Sequence, residues 1–328
     1  MRLAAALLVL SVAVGCGGAA EPEGPRGGAP RGLELMLDYF PNADHAGIYA
    51  AEAGGHFERA GLDVTVRQPP DPSAPLKQVA AGRVDVAISY EPEVLRARDR
   101  GLDVVAVGAL VQRPLTSIIS LPEAGIEGPE DLAGKRVGTS GIDYQSAYLQ
   151  TILERGGRAR AREINVGFSL TPALLTGRVD AVLGAYWNYE GTELRLQGKS
   201  PRIIRMDEVG VPTYDELVLV ANERSLREQG AAIRSLLAGL ARGTADLERD
   251  PEKAVKGLLE ANPDLDPKLQ REVVKVTLPL FLAPRGKPYG YQDPREWKAF
   301  GDWMTDQRLL EQPASDGAFT NEYLPPAG

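Results

Sequence analysis

A chain of 328 residues is long enough for two compact lobes. Its 43% hydrophobic and 25% charged composition is ordinary for a globular protein, and a net charge of −8 with dispersed Lys and Arg argues against a nucleic-acid partner. A single cysteine, Cys16, and two histidines, His45 and His56, exclude an intrachain disulfide, a cysteine zinc cluster and a multi-histidine metal site, so neither a metal nor a cofactor is expected.

Met1-Arg2 is a minimal basic start, and Leu3 to Val14 is an apolar run too short to span a bilayer. Together they read as a signal peptide over residues 1–15. The run stops at Gly15-Cys16, which resembles a bacterial lipoprotein signal with Cys16 as the lipidated residue. A Gly/Pro/Ala-rich stretch over 16–32 reads as a flexible tether. The expected location is therefore extracytoplasmic, held at the membrane by a lipid anchor.

Leu33 to Tyr39 reads as the first strand, and a helix is predicted from Asp44 to Ala60, stopped by Gly61. Leu62–Val66 alternates as a strand does, Ser73 can cap a helix over Ala74–Ala81, and Val84–Tyr90 is an apolar strand ending at Glu91-Pro92. A helix over Glu93–Arg100 and a strand over Asp103–Leu110 follow. A second unit repeats this alternation, with strands at Lys135–Thr139, Arg162–Val166, Val179–Ala185 and Arg202–Met206. Helices lie between them at Asp143–Glu154 and Leu170–Leu175. Tyr214–Ala221 reads as a strand returning to the first sheet. Helices are then predicted over Asn222–Glu228, Ala231–Glu248, Pro251–Glu260, Pro267–Phe281 and Pro294–Gln307, before a wrapping tail from Asp316. Strands alternating with helices imply βαβ units and mainly parallel sheets. The predicted fold class is α/β, with lobe 1 from 33–118 and 213–328 and lobe 2 from 119–212.

Gly-Arg-Val-Asp occurs twice, at Gly82–Asp85 and Gly177–Asp180, each time between a helix and an apolar strand. The two strands end in Tyr90-Glu91 and in Tyr186-Trp187-Asn188-Tyr189-Glu190. This echo predicts two lobes of one plan with their aromatic strand ends facing across a cleft.

Aromatic residues make up only 6% of the chain, so Tyr39, Tyr90, Tyr186, Trp187 and Tyr189 stand out as candidates to stack on a flat ring. The alternative for each is packing between lobes. Asn42 suits the edge of a heterocycle and equally suits a helix cap. Asp38 and Glu190 can accept bonds from a ring amine. Glu91 is a candidate for the same role, although Glu before Pro also marks a helix start. His45 can donate to a ligand or cap its own helix. Ser117 and Ser140, the latter in the Thr139-Ser140-Gly141 turn, can grip a polar group. No phosphate loop, nucleophile elbow or His-Glu-x-x-His motif occurs, so no catalytic residues are assigned.

Leu37-Asp38-Tyr39-Phe40-Pro41-Asn42-Ala43-Asp44-His45-Ala46-Gly47 resembles the opening motif of the NMT1/THI5-like substrate-binding proteins. Lys77–Asp85 with Ser89-Tyr90, Gly108–Leu115, and Tyr186–Gly191 match further blocks of that family, in order. The resemblance implies a periplasmic-binding-protein fold of two α/β lobes. It also implies delivery of a thiamine-precursor pyrimidine to an ABC permease and its ATPase by a monomeric, non-enzymatic binding protein. Related members carry riboflavin, nitrate or sulfonates. By the same resemblance Asn42, Tyr90, Tyr186 and Glu190 fall on ligand-contacting positions, and Tyr39 stands where relatives have Trp. The family includes a fungal pyrimidine synthase with a cysteine-rich iron motif, which a chain with Cys16 alone cannot form. A sensory lobe serving a partner receptor is a third reading.

Overall fold

The computed structural model describes residues 30–155, 160–312 and 316–327. The signal segment, Cys16 and residues 17–29 of the expected tether lie outside the described residues. In chain order the strands are β1 (Arg31–Met36), β2 (Leu62–Arg67), β3 (Val86–Ser89), β4 (Val104–Val111), β5 (Thr116–Ser120), β6 (Arg136–Thr139), β7 (Arg162–Asn165), β8 (Ala181–Tyr186), β9 (Arg202–Arg205) and β10 (Leu217–Asn222).

They form two five-stranded sheets, ordered β2-β1-β3-β10-β4 and β7-β6-β8-β5-β9. In the first sheet β1 runs parallel to β2 and β3, and β10 runs antiparallel to β3 and β4. In the second, β6 is parallel to β7 and β8, and β5 is antiparallel to β8 and β9. The two sheets thus share one topology, each with a single reversed strand in the fourth place. The reversed strands are the first after each chain crossing. β5 follows the outward crossing and β10 the return.

The repeated tetrapeptide does the same work in both sheets. Gly82 and Gly177 take φ of +66° and +67°, a left-handed turn that suits glycine. Asp85 then accepts the backbone N–H of Glu34 in β1 at 2.8 Å, and Asp180 accepts that of Arg136 in β6 at 2.8 Å. Each carboxylate ties the incoming turn to the neighbouring central strand.

Four local expectations change. The helix predicted over Asp44–Ala60 breaks at Gly54-Gly55 into a 3-10 turn (Ala43–His45) and helices Ala46–Ala53 and His56–Arg59. Gly55 there is left-handed, at φ +66°. Conversely, the helices predicted on either side of Gly230 form one helix, Glu223–Arg249, capped by Asn222 Oδ1 on the Ser225 N–H. Gly230 is accommodated because a Cβ there would lie 2.8 Å from the Tyr323 ring of the packed tail. Ser73 does not cap its helix, since its hydroxyl donates to Asp71 instead. Strand β5, Thr116–Ser120, had no signal because all five residues are buried and no alternation marks them. It lies wholly in the second sheet, so the crossing falls just before the expected boundary at 118.

The terminal segment does wrap the first sheet. Ala106 of β4 donates to Ala318 C=O at 2.9 Å and accepts from Thr320 N–H at 2.8 Å. Among the described residues, no helix is long and apolar enough to cross a membrane.

The two chain crossings run side by side and are pinned by one buried side chain. Glu216 accepts the N–H groups of Leu115 and Thr116 at 2.6 and 2.8 Å, the Thr116 hydroxyl at 2.8 Å and the Tyr214 hydroxyl at 3.1 Å. A carboxylate satisfied this fully can be buried at tolerable cost.

Candidate functional site

The cavity between the sheets spans about 450 Å³ of space between atoms, open solvent at its mouth included. Asp38, Tyr39, Asn42, His45 and Tyr90 line it from the first sheet, and Ser140, Tyr186 and Glu190 line it from the second. Tyr90 directly follows β3 and Tyr186 ends β8, the equivalent strands of the two topologies. Rings from both halves therefore meet at one site, as the sequence echo predicts.

Asp38 organises the near wall. Its Oδ1 lies 2.8 Å from His45 Nε2, and its Oδ2 accepts the Tyr90 hydroxyl at 2.8 Å. His45 Nδ1 accepts the backbone N–H of Asn42 at 3.2 Å, so the ring proton sits on Nε2 and is donated to Asp38. Each Asp38 oxygen thereby accepts one bond, and the residue positions Tyr90. Asn42 behaves as the cap its alternative reading describes. Its Oδ1 accepts Asp44 N–H at 2.8 Å and its Nδ2 donates to Phe40 C=O at 3.0 Å.

Tyr39 packs edge-on to Phe168, with ring centroids 4.7 Å apart, and its hydroxyl donates to Gly167 C=O at 3.4 Å. This closes one rim of the cavity across the two sheets. On the far wall, Glu190 Oε2 accepts Tyr186 N–H at 2.7 Å, and burial pushes the Glu190 carboxyl up to about 7. The Tyr186 hydroxyl is buried and has no hydrogen-bond partner. Burial also holds the phenols of Tyr90 and Tyr186 well above their ordinary value, so both rings stay neutral.

Three expected site residues lie elsewhere. Glu91 begins a helix and turns toward the return crossing, where its Oε2 accepts Asp215 N–H at 2.7 Å. Ser117 is fully buried within the sheet, donating to Ala185 C=O at 2.7 Å. Trp187 turns away from the cavity that Tyr186 enters. Its Nε1–H donates to Pro114 C=O at 3.1 Å, and the Arg205 guanidinium sits 4.8 Å above its ring. Adjacent residues leaving a strand end point to opposite sides, so Tyr186 and Trp187 could not both face the cleft.

The cavity also uses residues without a prior signal. Tyr144 lies 5.5 Å from the Tyr90 ring, and Gln145 holds Ser140 through its N–H at 2.9 Å and its hydroxyl at 2.8 Å. The Ser140 turn is thus engaged by its own helix. Gly184 has φ +93°, and a Cβ there would stand 2.2 Å from Gln145 Nε2. A lone glycine inside an apolar strand is a sign of such close approach. Asp44 lines the cavity as well, and burial pushes its carboxyl up to about 8.

The family model described as NMT1/THI5 like matches residues 42–254. The formylaminopyrimidine-binding protein of Halalkalibacterium halodurans is 34% identical over 296 residues, covering 88% of this chain and 89% of that protein. A putative thiamine biosynthesis protein of Haemophilus influenzae is 35% identical over 281 residues, covering 85% and 88%. Pyrimidine phosphate synthases also match, at 24–25% identity. Among solved structures, the alkanesulfonate-binding protein SsuA from Xanthomonas axonopodis pv. citri, bound to MOPS, aligns with a TM-score of 0.68 at 21% identity. That alignment covers 90% of this chain and 99% of the other, and it shows a shared periplasmic binding protein fold.

Proposed function

The chain belongs to the NMT1/THI5-like family, and from that premise we propose that it is an extracytoplasmic solute-binding protein for a small planar heterocycle. The ligand class is an amine-bearing pyrimidine of the thiamine-precursor type, in keeping with the name of the formylaminopyrimidine-binding relative. A lipid anchor at Cys16 holds the monomer at the membrane, where it passes ligand to an ABC permease driven by its ATPase. The lobes are residues 33–115 with 213–328, and 116–212.

One observation carries this reading. Tyr90 and Tyr186 enter a single cavity from equivalent strand ends, the acidic groups lining it are the carboxyls of Asp38, Asp44 and Glu190, and no Lys or Arg lines it among the described residues. Two rings suit a flat guest, with stacking worth roughly 0.5–1.5 kcal/mol per pair beyond burial. Such a lining offers hydrogen bonds to the polar edge of a heterocycle and no counter-charge to a sulfonate or nitrate. Sulfonate and nitrate therefore fit this cavity poorly. The same residues support binding rather than turnover. Both ring nitrogens of His45 are engaged, by Asp38 and by the Asn42 N–H, which supports a positioning role for it.

A thermal-shift screen of an aminopyrimidine bearing a hydroxymethyl group, riboflavin, nitrate and an alkanesulfonate tests this. The aminopyrimidine should raise the melting temperature by several degrees. A shift with the sulfonate alone would refute the reading.

A further inference from the structure

Two arginines of the first half converge on one carboxylate of the second. The helix Glu91–Asp99 leads from β3 toward β4, and the helix Asp143–Arg155 leads from β6 toward β7. Arg96 and Arg100 stand four residues apart, one helical turn, and so face the same way. Arg96 Nε donates to Asp143 Oδ2 at 2.8 Å, and Arg100 Nη2 lies 2.9 Å from the same oxygen. Arg96 is also held from its own half, since its Nη1 donates to Leu309 C=O at 2.8 Å. Among the described residues, the ion pairs that join the two halves both end on Asp143.

Asp143 adjoins the site. The next residue, Tyr144, sets its ring 5.5 Å from that of Tyr90, and Gln145 accepts the Ser140 N–H at 2.9 Å. All four of these residues line the cavity. Other bonds cross the cleft between groups without net charge. Asn188 Nδ2 donates to Asp44 Oδ1 and lies 2.8 Å from Thr277 Oγ1, and Gln270 Nε2 donates to the Tyr189 hydroxyl at 3.3 Å. Burial pushes the Asp44 carboxyl up to about 8, so it is mostly protonated at neutral pH. The side chains of Asp143 and Arg100 are 50% and 57% exposed, so dissolved salt reaches their pairing and screens it.

We propose that Asp143 is a positioning residue for ligand capture, its pairing with Arg96 and Arg100 forming as the halves close and holding the site shut over its guest. The inference rests on the proposed binding reading and adds the contact that sets its closed state. Charge then governs the affinity for a guest that itself carries none.

The test is calorimetric titration of the full chain with the uncharged hydroxymethyl aminopyrimidine, at one pH, from about 0.02 M to about 0.5 M salt. Wild-type affinity should fall by about threefold to tenfold across that range. Asp143→Asn keeps the shape and removes the charge. It should bind about threefold to tenfold more weakly at low salt and change by less than about twofold as salt rises. Arg96→Gln with Arg100→Gln should behave the same way, and adding Asp143→Asn to that pair should cost less than about twofold more. Asp143→Glu should keep the salt response. A residue that only starts its helix would lower the melting temperature on change to Asn and leave the salt response as in wild type. A wild-type affinity constant within about twofold across the range, or an Asp143→Asn protein that responds to salt as wild type does, overturns the proposal while the binding reading stands. A wild type that binds the probe at no salt concentration overturns both. Variants from either side of the pairing suffice if those from the other fail to fold, as judged by thermal melts.

Discussion

At the scale of single residues, the unusual feature is how many carboxyls are buried without a cation. Burial pushes Asp44 up to about 8 and Glu93, Glu190 and Asp215 each up to about 7, and it raises Glu91 and Glu216 as well. Hydrogen bonds replace counter-ions. Glu93 accepts the Ser89 hydroxyl at 2.5 Å, and Asp215 accepts Trp297 Nε1–H at 2.8 Å. Ordinary carboxyls titrate near pH ~4, so between there and about pH 7–8 the folded chain holds protons that the unfolded chain has released. The resulting stabilisation is present at mildly acidic pH and is lost as pH rises through the raised values. Carboxyls held low by partners act oppositely, Asp180 through Arg136 and Asp246 through His56, but only below the ordinary carboxyl range. The melting temperature should therefore fall between about pH 5.5 and pH 8, on the order of 1 kcal/mol per raised carboxyl per pH unit at most. Differential scanning calorimetry across that range checks it. A melting temperature that climbs with pH would show that these carboxyls are ionised in the fold.

At the scale of elements, the repeated Gly-Arg-Val-Asp gives the sequence echo a physical cause. Each glycine makes a left-handed turn, and each aspartate reaches back to a central-strand N–H. Asp180 carries more, because its carboxylate also holds the Arg136 side chain at 3.1 and 2.5 Å, whereas Asp85 is joined by Gln229 at 2.8 Å. Asp180→Ala should cost about 1–3 kcal/mol of stability in urea denaturation with little change in m-value. A loss below about 0.5 kcal/mol would show the turn to be held by other contacts. The elements that were legible in the sequence are those with sharp edges. Pro267–Phe281 is bounded by the Asp266 cap and the end of its apolar face, and Leu170–Leu175 by Ser169 and Gly177. The elements that were not legible lack such edges. Strand β5 is buried on both faces, and Gly230 looks like a break until the tail that packs on it is known.

At the scale of the whole molecule, two sheets of one topology exchange their reversed strands across paired crossings. Glu216 fixes those crossings to one another. The cleft closes through contacts beside the cavity, among them Tyr39 with Phe168, Tyr90 with Tyr144, and Asp44 with Asn188. The two-lobed plan was readable because its signals were repeated, and so was the pairing of Tyr90 with Tyr186. Which neighbours of those tyrosines face the cleft was not readable, since it depends on how the chain leaves each strand. Trp187 and Glu91 leave the site for that reason and Ser117 because it lies inside β5, while Tyr144 and Gln145 enter it from a helix whose pattern announced only burial. The central claim is that a flat guest is held between rings from opposite lobes. Titration of the wild type and of Tyr186→Ala with the hydroxymethyl aminopyrimidine tests it most directly. The wild type should bind, and loss of the ring should weaken affinity by about tenfold to a hundredfold, in line with an aromatic contact plus its buried area. Equal affinity in the two proteins would contradict the account.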